Sequence, residues 1–96
     1  MSLDRFLLGT PLSVFVLITV QYEHVHGKKF SQKEVAKQIR ALKDVEYVTI
    51  VAGQADMLVK ANLEDPRALD SFLLDKLRNL EGVQKTETLV ILSEFG

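Results

Sequence analysis

Four segments of the chain are rich in β-branched and other apolar residues over the short lengths that are typical of strands. They run from Leu12 to Gln21, from Val45 to Ala52, from Asp56 to Leu63 and from Val83 to Leu92. Gly53-Gln54-Ala55 separates the second segment from the third, and this composition is typical of a short turn. The pattern therefore predicts a hairpin at this point.

Helical spacing replaces the strand pattern in two places. Ser31 followed by Glu34 forms a capping box, in which hydroxyl and carboxylate each bind an unpaired backbone N–H, and predicts a helix that ends near Asp44. Asp65 followed by Pro66 predicts the start of a second helix. The apolar residues expected on the buried sides are Val35, Ile39 and Leu42 in the first helix, and Leu69, Phe72, Leu73, Leu77 and Leu80 in the second.

The predicted order, β-α-β-β-α-β, is the ferredoxin-like arrangement. The fold class is α+β, with a four-stranded antiparallel sheet and both helices on one face, because each helix is a crossover of the same hand. A weak internal repeat agrees with it, since residues 41–45 and 79–83 occupy the same helix-to-strand junction. Gly82 in the second junction suits a left-handed helix end. We expect one domain over residues 12–96, with residues 1–11 as a lead-in.

The strands carry apolar residues on both faces. In the first strand Val14, Val16 and Ile18 share one parity, and Phe15 and Leu17 share the other. Strands of this kind are usually buried on both sides. We therefore expect a homodimer in which two sheets pack face to face, as in dimeric α-β barrels; scattered surface aliphatic residues are the alternative.

Composition narrows the classes of function. The 96 residues carry a net charge of −1, so no global field attracts nucleic acid or anionic lipid. The absence of cysteine excludes disulfides and thiolate metal sites. The apolar stretch from Leu12 to Val20 is far shorter than the about 20 residues of a membrane-spanning helix. We expect no direct nucleic-acid or membrane partner, and the cytoplasm is the default location.

Two polar features are interpreted as solvated surface. His24 and His26 flank Val25, but two histidines in a loop do not make a metal site. A basic stripe on the first helix is usually its solvent-exposed face, although it could bind phosphate or an acidic partner. Its members are Lys33, Lys37 and Arg40, with Lys28 and Lys29 before them. No metal or cofactor is predicted.

The hairpin sequence Gly53-Gln54-Ala55-Asp56 is followed by Gly82-Val83-Gln84-Lys85-Thr86-Glu87-Thr88 at the start of the last strand. This ordered set, over Leu12 to Leu92, resembles the effector-binding domain of the Lrp/AsnC regulators, also called the RAM domain. The resemblance implies dimerisation through the sheets, assembly into larger rings, and binding of amino acids at subunit contacts. It also implies a set of ligand-binding residues, which are Gly53, Asp56, Thr86 and Thr88.

The chemistry of these residues suits an amino acid. Asp56 offers a carboxylate to the ammonium group, while the turn at Gly53 and the hydroxyls of Thr86 and Thr88 offer donors to the carboxylate. Without the resemblance, Asp56 is a turn residue of little importance for packing, and the threonines are ordinary strand formers. The family often has an aromatic residue where this chain has Ala55, which puts the shape of the pocket in question.

Typical full-length members carry an N-terminal helix-turn-helix domain, whereas only eleven residues precede the first strand here. The chain therefore resembles the stand-alone RAM proteins, and an excised fragment is the alternative. DNA binding in the family manner is not expected, whereas co-assembly with full-length regulators is. An RNA-binding module would need aromatic residues on its central strands, and residues 56–63 contain none. A small dimeric α-β-barrel enzyme of the monooxygenase kind, or an ACT-type regulatory domain, remains an alternative. The absence of a nucleophile–base pair favours a protein without catalytic activity.

Overall fold

The computed structural model describes residues 11–21 and 31–96. The predicted lead-in, apart from Pro11, and the loop at residues 22–30 lie outside the described part. The elements are β1 (Leu12–Val20), α1 (Gln32–Arg40), β2 (Val45–Ile50), β3 (Met57–Leu63), α2 (Pro66–Ser71), a π-helical segment (Phe72–Leu77) that continues α2, and β4 (Val83–Val90). The predicted order of strands and helices is confirmed.

Both predicted helix starts are confirmed by capping hydrogen bonds. The Ser31 hydroxyl accepts a hydrogen bond from the Glu34 N–H at 3.1 Å. The Asp65 carboxylate accepts one from the Ala68 N–H at 2.8 Å. Each bond satisfies an N–H that the first helical turn leaves without a partner.

The element ends differ from the prediction by a few residues. α1 ends at Arg40 rather than near Asp44, because residues 41–44 form a turn in which the Val45 N–H donates to the carbonyl of Leu42 at 3.1 Å. β1, β2 and β4 end one or two residues early, and β3 begins one residue late. Such ends depend on the local turn geometry rather than on hydrophobic spacing.

The π-helical segment is not predicted by the sequence. The Arg78 N–H donates to the carbonyl of Leu73 at 3.2 Å, which is the i to i+5 bond of a π-helix. Phe72 and Leu77, five positions apart, are both completely buried. Apolar residues at 69, 72, 73, 77 and 80 fit an ordinary helix as well, so their spacing does not reveal the wider turn.

The sheet has the order β2-β3-β1-β4, and every neighbouring pair is antiparallel. β1 and β3 are therefore central, while β2 and β4 are edge strands. Directly opposed residues share a face of the sheet. Val16 lies between Val59 and Thr88, so one row of side chains crosses three strands on the same face.

That face and the two helices enclose the core. Val35 and Ile39 of α1, with Phe72 and Leu77 of the second helical region, are buried in one cluster with the central strands, which confirms the predicted buried sides. No polar or charged residue is buried in the described part of the chain. The strand members of this cluster are Leu12, Val14, Val16, Ile18, Val20, Val45, Met57, Val59, Ala61 and Leu63.

The opposite face of the sheet is not covered by either helix and is called the open face here. It presents the other parity of the strands, including Phe15 and Leu17 of β1 opposite Lys60 and Leu58 of β3. Both parities of β1 are thus apolar, as the sequence predicts.

Candidate ligand-binding site

Asp56 lies at the entry to β3 and connects three elements. Its Oδ2 accepts a hydrogen bond from the Val20 N–H at 2.7 Å, and its Oδ1 accepts one from the side-chain amide of Gln32 at 3.1 Å. Its own N–H donates to the carbonyl of Ile18 at 2.9 Å. The residue therefore links the end of β1 to the start of β3 and to the first turn of α1.

The bond to Val20 has a local cause. The register between β1 and β4 shifts between Thr19 and Val20, at the end of the paired region. Backbone N–H groups at such irregularities need partners from outside the ladder. The Asp56 carboxylate supplies one for Val20, so this residue stabilises the fold in addition to any part it has in binding.

Gly53 belongs to the same loop, between β2 and β3. Its φ of 148° lies in the region that side-chain-bearing residues rarely adopt, whereas a Cβ there would meet no atom within 4 Å. The loop is closed by a hydrogen bond of 2.9 Å from the Val51 N–H to the carbonyl of Asp56. The backbone conformation of the loop, rather than lack of space, favours glycine at position 53.

Thr86 and Thr88 lie on the helix-covered face of β4. Thr86 is opposite Ile18 and Thr88 is opposite Val16, which confirms that the two threonines share a face. Both are half-buried. Neither hydroxyl bonds to another described residue, and neither is closed off from solvent. Both hydroxyls are therefore available to a ligand.

The four predicted site residues are not equally close to one another. Ile18 is opposite Met57 on one side and Thr86 on the other, so Thr86 lies about two strand spacings, roughly 10 Å, from the start of β3. Gly53, Asp56 and Thr86 thus lie at one end of the sheet, and Thr88 is one row nearer its middle.

A cleft of about 350 Å³ lies beside Thr86, and its lining residues are Arg78, Val83, Gln84, Lys85 and Thr86. The sequence motifs indicate Thr86 but neither Arg78 nor Lys85. They come from different elements, since Arg78 follows the π-helical segment and Lys85 belongs to β4. The internal repeat was the signal that pointed to this junction.

The open face combines an apolar centre with a charged corner. The Lys60 ammonium donates to Glu94 at 3.3 Å, lies 3.7 Å from Glu46, and lies 5.9 Å from the centre of the Phe15 ring. The hydrogen bond to Glu94 raises the pKa of Lys60 above its ordinary value of 10.5, and the charge of Glu46 acts in the same direction. Near this corner Tyr47 is 38% exposed.

The described residues contain no group of three histidine, cysteine, aspartate or glutamate side chains that could hold a metal ion. His24 and His26 lie outside the described residues, as do Lys28 and Lys29. Among the helices of the described part, none has both the length and the apolar character needed to cross a membrane.

The fold and the position of these residues define a ferredoxin-like α+β domain with polar groups gathered at one end of its sheet. Residues 13–95 match the Lrp/AsnC ligand binding domain, so the chain belongs to that family. The family assignment from the sequence motifs is confirmed.

The relatives are transcriptional regulators by name. An uncharacterised HTH-type regulator of Pyrococcus furiosus is 40% identical over 83 residues, which are 86% of this chain and 51% of the relative. The leucine-responsive regulatory protein of Haemophilus influenzae is 34% identical over 92 residues, 96% of this chain and 53% of the relative. The chain spans about half the length of these relatives.

A solved structure supports the same fold. The transcriptional regulator of Neisseria meningitidis in complex with L-Met superimposes with a TM-score of 0.76 at 25% identity. The match covers all of this chain and 58% of that regulator. The RAM-type fold expected from the sequence is thereby confirmed.

Proposed function

We propose that this chain is the amino-acid-sensing and oligomerising domain of an Lrp/AsnC-type regulatory system. The observation that carries the proposal is the gathering of a carboxylate, Asp56, and a free hydroxyl, Thr86, at one end of the sheet in a domain of this family. The related regulator from Neisseria meningitidis, solved with L-Met, supports an amino acid as the class of effector.

In the proposed site Asp56 receives the ammonium group of the ligand. The hydrogen bonds from the Val20 N–H and the Gln32 amide orient this carboxylate at the end of the sheet. The hydroxyls of Thr86 and Thr88, together with the backbone of the loop at Gly53, donate to the ligand carboxylate. A subunit contact other than the open face would complete the enclosure, because Thr86 and Thr88 lie on the helix-covered face of the edge strand β4.

The open face is the proposed contact between two copies. Phe15 and Leu17 on β1 and Leu58 on β3 form its apolar centre, and burying such a surface favours association. The dimer would assemble further into larger oligomers, either of this chain alone or together with full-length Lrp/AsnC regulators. Direct contact with nucleic acid is not part of the proposal, since the net charge is −1.

The proposal assigns no catalytic activity to the chain. An enzyme of the dimeric α-β-barrel type would need a polar or ionisable group between helices and sheet, and the core of the described residues is apolar throughout. The names of the relatives also favour a regulator. No observation favours an ACT-type domain over the Lrp/AsnC assignment.

A panel of the common amino acids, read by thermal unfolding, tests the proposed function. A ligand that binds only the folded state raises its stability by about 2.7 kcal/mol at a concentration of 100 Kd. We expect at least one amino acid to raise the melting temperature, and its analogue with hydroxyl in place of ammonium to have no effect. A panel without any stabilising amino acid would contradict the proposal.

Each of the two threonines should contribute less to the binding free energy than Asp56 does. Thr86→Val and Thr88→Val keep the side-chain shape and strand propensity but remove a donor, so each should weaken binding by about 1–3 kcal/mol. We expect the larger loss for Thr86, which lies nearer Asp56. Calorimetric titration with the stabilising amino acid measures both, with Ser71→Ala, which removes a hydroxyl from α2, as the control. Unchanged affinity in both variants would remove the threonines from the site.

A further inference from the structure

Residues 91–96 follow β4 and are called the arm here. The Ile91 N–H donates to the carbonyl of Ser13 at 2.9 Å, so the arm leaves the sheet beside β1. Three residues later the Glu94 carboxylate accepts a hydrogen bond from the Lys60 ammonium at 3.3 Å. Because β1 lies between β4 and β3, the arm bends back toward the middle of the sheet.

The contact with Lys60 places the arm at the open face. Lys60 is opposite Phe15 on one side and Tyr47 on the other, and its ammonium lies 5.9 Å from the centre of the Phe15 ring. The side chain of Lys60 is 16% exposed, and that of Glu94 is 55% exposed. An ion pair with an exposed member contributes little to folding stability, so its main effect is on where the arm lies.

The arm exposes its apolar side chains to solvent. Leu92 is 63% exposed and Phe95 is 97% exposed. Of the seven large apolar side chains that are exposed in the described part of the chain, four lie between residues 89 and 95, so exposed apolar surface concentrates in this stretch. The Phe95 ring, one residue after Glu94, contacts almost nothing in its own copy. Concentrated apolar surface beside the open face indicates contact with another protein molecule.

The sheet by itself is small for a stable contact between two copies. Four strands about 4.8 Å apart, paired over seven residues that rise about 3.3 Å each, have a footprint of roughly 450 Å². A stable interface buries about 800 Å² per partner. A buried aromatic side chain adds about 150–250 Å². The exposed apolar residues of the arm therefore supply surface that the sheet lacks.

We propose that the arm binds a second copy of this domain, with Leu92 and Phe95 packed against the open face of that copy. The Lys60–Glu94 pair holds the arm in position on its own sheet. This contact rests on the proposed face-to-face dimer and adds a second element to it. Two sheets packed face to face lie about 10 Å apart, so a chain at the rim of one sheet reaches the other with a single side chain. In a twofold dimer each copy gives one arm and receives one.

Removing the Phe95 ring tests the arm without changing the sheet. Phe95→Ser should raise the dissociation constant of the dimer at least about tenfold, because a twofold dimer loses two rings. Leu74→Ser is the matched control, since Leu74 is also exposed but lies on the second helical region, and it should associate as the wild type does. Sedimentation over a range of concentrations measures both constants.

An isotope-filtered NOE measurement locates the Phe95 ring in the dimer. Unlabelled protein is mixed with protein that is isotope-labelled at its leucine methyl groups, so that only contacts between two copies are detected. We expect contacts from the ring to leucines of the other copy's open face, which carries Leu17, Leu58 and Leu89, and we expect Phe95→Ser to lack them. A ring that contacts only its own copy would overturn the proposal.

Leu17→Asp separates the arm from the face-to-face dimer on which it rests. Weaker association in both Leu17→Asp and Phe95→Ser, with Leu74→Ser unchanged, supports the arm. If only Leu17→Asp weakens association, the sheets meet as proposed and the arm alone is refuted. If only Phe95→Ser does so, the arm binds a surface other than the open face, and the proposal fails. The thermal response to amino acids is measured separately, so the loss of the arm proposal leaves the sensing function testable.

Discussion

Replacing Asp56 by asparagine should weaken amino-acid binding by two to four orders of magnitude and leave the stability of the fold close to that of the wild type. Removing one partner of a buried ion pair costs about 3–5 kcal/mol, and about 1.4 kcal/mol corresponds to tenfold in affinity. The asparagine oxygen still accepts from the Val20 N–H, so the end of β1 keeps its partner.

Asp56→Ala separates the structural part of this residue from its part in binding. Alanine leaves the Val20 N–H without its 2.7 Å acceptor, which should cost about 1–3 kcal/mol of folding free energy in addition to the loss of ligand. Urea unfolding measures the stability of both variants, and calorimetric titration measures their affinity. Wild-type affinity in Asp56→Asn would show that the site is assigned to the wrong residue.

The helix starts were predictable because their causes are local. Ser31 and Asp65 cap helices through N–H groups only three residues ahead, so the short sequence contains both partners. The π-helical segment was not predictable in this way. Its i to i+5 bonds depend on how Phe72 and Leu77 both reach the core, and the spacing of apolar residues alone allows either helix.

The candidate site was predictable only in part, for a related reason. The alternation along β4 placed Thr86 and Thr88 on one face, and the register confirms it. The bond from Asp56 to Val20 depends on a register shift between strands that are far apart in sequence, and no local pattern encodes that shift. Sequence reasoning therefore gave Asp56 little importance for the fold, whereas the structure shows that it links three elements.

The neighbours of Leu17 on the open face determine which charged replacement disrupts that face most. Leu17 lies near its centre, directly opposite Leu58 on one side and Glu87 on the other. A new positive charge at this position would meet Glu87, whereas a new negative charge would face a like charge. Aspartate is therefore the more disruptive replacement, since like charges opposed across a strand pair are destabilising.

Leu17→Asp should prevent self-association through the open face. Each copy would bring an unpaired carboxylate to the apolar centre of the interface, and in a twofold dimer the same change occurs on both sides. A loss of at least about 2 kcal/mol, roughly thirtyfold in the dissociation constant, is typical of a central interface residue. Leu74→Asp is the matched control, because Leu74 is 51% exposed on the second helical region and lies away from the open face.

Sedimentation at micromolar concentration should show a monomer for Leu17→Asp and the wild-type assembly for Leu74→Asp, with circular dichroism confirming that both are folded. An unchanged assembly in Leu17→Asp would mean that the copies meet elsewhere, and a stable wild-type monomer would remove the sheet-to-sheet contact from the proposed function.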